Sequence, residues 1–187
     1  MTDYTYSLDK VIKRTKAHAV HAHFVDEMPI SIRPTPVRGD FRMGEVLLPK
    51  ESPEEALFVL LHGLGHMAQW IEYPEEHEQA YSYNSKGNSW NEIELKKIWH
   101  HEWSALPHVL GFLKQHRLGV LRDWYARYFI ADQYYLVEIF RNNQYDLQKF
   151  YGTLDRLQEE NLSEKYVSRE FPVLEIMLSQ KGYICIV

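Results

Sequence analysis

Apolar residues recur at three- and four-residue steps through residues 53 to 71, PEEALFVLLHGLGHMAQWI: Leu57, Leu60, Leu61, Leu64, Met67, Ala68 and Ile71. That is the period of a helix with a buried face. Pro53 suits its first turn, where the missing N–H would have no helical partner anyway. A second stripe, Leu95, Ile98, Glu102, Ala105, Val109 and Phe112, predicts another helix, opened by a capping-box pattern at Ser89 and Glu92. Pro107 should bend that helix one turn beyond Glu102.

Around these two, the pattern is mixed. Ser7 is the expected cap of a first helix running to about Phe24, with Leu8, Val11, Ile12 and Val20 inward. Ile30, Ile32 and Pro34 alternate with polar neighbours, and Pro34 and Pro36 demote that stretch to an edge strand or irregular extension. Arg38-Gly39-Asp40 reads as a turn, and Met43 to Leu48, MGEVLL, as a strand feeding into the helix from Pro53. Pro74 ends that helix, and residues 74 to 90 read as a charged surface excursion. Leu121 to Phe140 predicts an aromatic helix with Trp124, Tyr128, Ala131 and Tyr135 on one side; residues 144 to 160 predict a more exposed one. Val173 to Val187 reads as a last helix plus a short strand. The fold class expected is α+β: one mainly helical domain with a small β-sheet (residues 1–118) and a helical C-terminal extension (residues 119–187).

Composition narrows the function more than the fold. With 187 residues, 45% of them hydrophobic, the chain can bury one substantial core. A formal charge of −5 argues against a basic nucleic-acid surface. Cys185 is the only cysteine, which excludes an internal disulfide and a cysteine-ligated zinc site. The N-terminus, MTDYTYSLDK, lacks an apolar signal core, and no run approaches the length of a membrane span. A soluble cytoplasmic protein with a protein or peptide partner, and no membrane or nucleic acid, is the expectation.

The candidate chemistry lies on the two striped helices. His62 and His66 are four residues apart, so both imidazoles leave one side of consecutive turns. Two helical histidines hold a zinc ion at this spacing, and two core histidines satisfied by hydrogen bonds share it. Gly63 and Gly65 lie mid-helix, each costing about 1 kcal/mol relative to alanine. They suggest close approach by a neighbouring strand, an ion or a ligand. Glu102 places a carboxylate inside an apolar stripe, where it needs a cation, strong donors or a proton. Two histidines and a carboxylate with an open fourth position describe a catalytic-type zinc site. His18, His21 and His23 read as solvated histidines near a helix end, and His101 and His108 fall on the polar side of Glu102's helix.

Across about residues 5 to 115 the chain resembles zincin metallopeptidases of the glutamate-ligand kind, most nearly the small ImmA/IrrE-like group of phages and bacteria. The leading helix, the short strands, LFVLLHGLGHMAQW and HEWSALPHVLGFL carry the resemblance, with Glu102 and Ala105 matching the family's later Glu-x-x-Ala element. It implies zinc held by His62, His66 and Glu102. The family's helix reads His-Glu-x-x-His, and that glutamate is the general base that activates water at the zinc. Here the position is Gly63, which can take no proton, and general base catalysis is worth about 10²- to 10⁴-fold. Three expectations follow. The chain is a catalytically impaired pseudo-enzyme that binds another protein; or it is an active zinc-dependent hydrolase whose base is displaced to Glu72, Glu75, Glu76 or Glu78; or it is a metal-free interaction module.

Overall fold

The protein is described by a computed structural model over residues 3–16, 20–26, 40–42, 44–84, 91–142 and 147–158. The elements run α1 (Tyr4–Thr15), β1 (His21–Val25), β2 (Asp40–Arg42), β3 (Glu45–Pro49), α2 (Pro53–Glu72), α3 (Pro74–Asn84) and α4 (Glu92–Gln115). A short 3₁₀ turn (Gly119–Leu121) then leads into α5 (Arg122–Asn142) and α6 (Leu147–Gln158). The fold is α+β and mainly helical, as the periodicity predicts. Two compact units divide the chain, Met1–Gln79 with Glu102–Arg117, and Ala80–His101 with Leu118–Val187. Among the described residues no helix is long and apolar enough to cross a membrane. The segments read around Ile30, Ile32 and Pro34, at Arg38-Gly39 and over 173–187, together with His18 and the Ser89 cap, lie outside the described residues.

In the first unit, α1 is capped by Asp3, whose carboxylate accepts from the Tyr6 N–H at 3.0 Å, rather than by Ser7. Leu8, Val11 and Thr15 form its buried side, and it stops at Thr15, well before Phe24. His21–Val25 is instead strand β1, lying parallel to β3 with His21 opposite Glu45 and Val25 opposite Pro49. Pairing with a distant strand decides this segment, and five residues carry too little periodicity to reveal it. β2 pairs antiparallel on the other side of β3, with Arg42 opposite Glu45. Gly44, at φ 89°, turns between them, so the strand expected from Met43 starts at Glu45. A side chain is disfavoured at that φ. On β3, Val46 and Leu48 are buried, and α2 packs on this strand and on α1.

Helix α2 starts at Ser52, whose hydroxyl accepts from the Glu55 N–H at 3.3 Å, with Pro53 following in the first turn. Leu57, Leu60, Leu61, Leu64 and Met67 are buried as predicted, but Ile71 is 70% exposed and Gln69 is buried in its place. Tyr73 closes the helix by donating its N–H to the Gln69 carbonyl at 2.7 Å. The chain then restarts at once: within the stretch read as a charged surface excursion, residues from Pro74 form the largely exposed helix α3. Proline at a first helical position, followed by Glu75 and Glu76 near the positive helix end, favours that restart.

Helix α4 begins with a reciprocal cap between Asn91 and Glu94. The Asn91 side chain accepts from the Glu94 N–H, and the Glu94 carboxylate accepts from the Asn91 N–H, both at 3.0 Å. Pro107 lies inside a helix that continues to Gln115. Ile98, Ala105 and Val109 of the predicted stripe are buried, and so are Trp99, Trp103 and Leu106. In the second unit, α5 buries Trp124, Tyr128 and Ala131 but also Tyr125, Phe129 and Ile130, so its buried surface is wider than one side. It packs on α6, where the Phe150 ring lies 5.1 Å from that of Tyr128.

One close contact governs the approach of α4 to α2. A Cβ on Gly65 would lie 2.8 Å from the Ala105 carbonyl oxygen, 3.0 Å from Val109 Cγ2 and 3.1 Å from Ala105 Cβ. The neighbour anticipated as a strand, ion or ligand is therefore, at Gly65, the backbone of another helix. Gly65→Ala should destabilise the protein by about 1–3 kcal/mol through overpacking. This outweighs the roughly 1 kcal/mol that alanine gains in helix propensity. A denaturant midpoint equal to or above that of the wild type would show that the two helices are not in such contact.

Candidate metal centre

The i, i+4 spacing on α2 brings His62 and His66 to one side, and the Gly65–Ala105 contact brings α4 close enough for Glu102 to meet them. Glu102 precedes Ala105 by three residues and so shares its side of α4. His62 Nε2 lies 3.0 Å from Glu102 Oε2, His66 Nε2 lies 3.3 Å from the same oxygen, and the two Nε2 atoms are 3.0 Å apart. The His62 ring stacks on Phe58, 5.5 Å between centroids and 17° between planes, and the two imidazoles meet edge to face. Side-chain exposure of 18%, 14% and 13% for His62, His66 and Glu102 leaves the cluster largely withdrawn from water.

This triangle is chemically demanding. Two imidazole nitrogens at 3.0 Å cannot both present lone pairs to each other without something positive between them. A proton meets that need, and so does a metal ion. Ligands bound roughly 2.0–2.1 Å from a tetrahedral zinc stand about 3.3 Å apart. The observed edges of 3.0 to 3.3 Å nearly match one face of such a tetrahedron. His62, His66 and Glu102 could therefore hold a metal ion.

The charges in the cluster support one another. Burial works against the Glu102 carboxylate, but the charge of His66 and hydrogen bonds from His62 and His66 hold its pKa well below 4.5. Burial also works against a charged His66, yet the Glu102 carboxylate and hydrogen bonds to Glu102 and Gln69 raise its pKa above 6.5.

Two further features were not foreseen. Gln69, 3% exposed, places Oε1 2.7 Å from His66 Nδ1, and its amide nitrogen donates a short hydrogen bond to Ser104 Oγ on α4. Gln69 lies three residues beyond His66 and seven beyond His62, on the histidine side, and a polar residue recurring with that side was the available signal. His77, on α3, has its ring 6.2 Å from that of His66. Burial, followed by repulsion from His66, lowers its pKa below 6.5. Its stretch reads from the sequence only as a charged surface excursion, which does not single out this histidine.

None of the remaining candidates is one of the triangle's three donors. His21 and His23 are exposed on β1, His23 Nε2 lying 3.9 Å from Glu45 Oε1. His101 and His108 are half-buried rather than solvated, since α4 buries Trp99, Trp103 and Leu106 as well as its stripe. His108 Nε2 lies 4.0 Å from Glu72 Oε2, while Glu75, Glu76 and Glu78 are exposed on α3. Comparison of the chain with protein-family models, with curated proteins and with solved structures finds no match.

The metal-free cluster should carry a pH signature. Glu102, with a lowered folded pKa, contributes stability that is present above about 4.5 and lost as pH falls through the folded value. His66, with a raised folded pKa, contributes stability that is complete below about 6.5 and lost as pH rises through its folded value. In chelator-treated protein the combined contribution should peak between these two pH values, and Glu102→Gln should flatten the peak. Identical pH–stability curves for the two proteins would show that the pair contributes nothing.

Proposed function

We propose that the protein is a zinc-binding, metallopeptidase-like protein whose catalysis is impaired or lost at Gly63, and that it acts by binding another protein. One observation carries the metal reading: three donor atoms from two helices form a triangle with edges of 3.0 to 3.3 Å, close to that of a tetrahedral zinc. The chemistry of the donors fits as well. His66 has its far nitrogen facing an acceptor oxygen, and the carboxylate supplies negative charge where an unpartnered cation would be costly. A bound zinc would supply Lewis acidity at that point.

Gly63 supports the pseudo-enzyme part. It is buried, and it offers no group that could take a proton next to His62. The acids anticipated as substitutes are exposed at Glu75, Glu76 and Glu78, and Glu72 faces His108. A second reading, a working zinc hydrolase, is favoured by one observation alone. His77 lies beside His66 with its pKa held below 6.5, so its ring is neutral at pH 7 and can accept a proton.

Protein purified without chelator or a histidine-rich tag should carry about one zinc per chain, and chelation should lower Tm. A metal present at 100 times its Kd stabilises the native state by about 2.7 kcal/mol. Glu102→Ala should abolish this chelator effect, whereas His23→Ala, on exposed β1, should leave it intact. Chelator-insensitive melting of the wild type would leave the metal-free interaction module.

Hydrolysis separates the two remaining readings. On unstructured peptides with zinc, the wild type should show little or no cleavage, and Gly63→Glu should stay folded and gain weak cleavage. Robust zinc-dependent cleavage by the wild type would overturn the pseudo-enzyme. In that case His77→Gln should remove the activity, and an unchanged rate would exclude His77 as the base.

A further inference from the structure

The buried amide of Gln69 is more than a satisfied polar group. Burying a glutamine is costly unless both ends of its amide find partners, and here both do. Oε1 faces His66 Nδ1 at 2.7 Å, and the amide nitrogen is tied to Ser104 Oγ. Since a carbonyl oxygen can only accept, His66 Nδ1 must be the donor and carry hydrogen. In a neutral ring this leaves the lone pair on Nε2, the atom 3.0 Å from His62 Nε2 and 3.3 Å from Glu102 Oε2. Ser104 in turn lies two residues beyond Glu102, so the amide links the histidine helix to the helix that supplies the carboxylate. His62 has a different support, the Phe58 ring stacked on its face.

We propose that Gln69 is a positioning residue: anchored by Ser104, it fixes His66 as the Nδ1–H tautomer, presents Nε2 to the His62–His66–Glu102 triangle, and so sets that triangle's affinity for a divalent metal ion. The inference rests on the metal-site reading above. Hydrogen-bond partners on the far nitrogen of a ligating histidine fix its tautomer and ring orientation, and losing one costs roughly 10–100-fold in metal affinity. Gln69→Met keeps the length and removes the acceptor. Gln69→Glu keeps an acceptor oxygen in the same place. Ser104→Ala leaves the acceptor but frees its anchor.

The test combines zinc affinity, measured by competition with a chromophoric chelator, with ¹⁵N NMR of the His66 ring in metal-free protein at a pH high enough to keep that ring neutral. The wild type should show the Nδ1–H tautomer. Gln69→Met should bind zinc roughly 10–100-fold more weakly, with His66 shifted toward the Nε2–H form. Gln69→Glu should restore wild-type affinity or exceed it, and Ser104→Ala should fall between. A purely structural role for Gln69 would lower stability in Gln69→Met without changing the tautomer. Wild-type affinity in a folded Gln69→Met, or an Nε2–H tautomer in the wild type, would overturn the proposal while leaving the metal site standing. If Gln69→Met does not fold, the wild-type tautomer and the Ser104→Ala affinity decide it. A wild type that binds no zinc overturns the metal-site reading, and this inference with it.

Discussion

The close approach of α4 to α2 at Gly65 is the constraint on which the site depends. Helix axes commonly pack 8–10 Å apart, set by the side chains between them. At Gly65 no side chain fits, because a Cβ would already be 2.8 Å from a backbone oxygen of the partner helix. The residue opposite, Ala105, is nearly as small. Glutamate side chains are short relative to the usual gap between helices, so a carboxylate three residues before Ala105 meets the histidine on the next turn only because these backbones come together. The Glu-x-x-Ala pattern thus has a physical reason in this chain: the alanine lets the helix in, and the glutamate shares its side. The helix-propensity cost of Gly65 is the local cost of that geometry.

Closeness creates an electrostatic problem as well as a site. A carboxylate and two imidazoles, all largely withdrawn from water, share one small volume. Opposite charge on His66 and Glu102 offsets part of the desolvation, which is why burial fails to neutralise either. The arrangement needs positive charge at its centre, whichever species supplies it. One proton can satisfy only part of this, since it bridges just two of the three converging atoms. A divalent cation satisfies all three at once. The geometry is therefore one that could hold a metal ion, beside the hydrogen-bonded histidine pair that the spacing alone leaves equally open.

What the sequence made legible follows from what periodicity can carry. Long helices with apolar stripes were readable: α2 and α4 occupy the expected stretches, and the lone carboxylate in the α4 stripe led directly to Glu102. Short or long-range features were not. β1 is a strand because β3 lies beside it, and its five residues continued the helical reading of α1 until that partner is known. The cap of α4 falls at Asn91 and Glu94, two residues beyond the Ser89 pattern, because both carry the same chemistry and only geometry distinguishes them. Hydropathy places Ile71 in the buried stripe and leaves Gln69 out of it, yet Ile71 is exposed and Gln69 buried. A glutamine goes inside when hydrogen bonds await both ends of its amide, and neither partner can be identified before the helices are packed.

The same dependence sets the three candidate ligands apart from position 63. His62, His66 and Gln69 stand on α2, and Glu102 and Ser104 on α4, so the contacts that Glu102 and Ser104 make at the site are also contacts between helices. Metal binding to such a centre is folding free energy, because the ligands converge only when the helices are packed. Position 63 supplies none of these ligands. A glutamate there would bring a proton acceptor but belongs neither to the Gly65–Ala105 contact nor to the triangle. Under the proposed reading, the absence of a base at position 63 and the presence of the three ligands are therefore physically independent. Substituting a ligand disturbs the packing of two helices, whereas substituting the base removes only a proton acceptor. A chain selected for binding rather than for turnover would keep His62, His66 and Glu102 and be free to carry glycine at position 63.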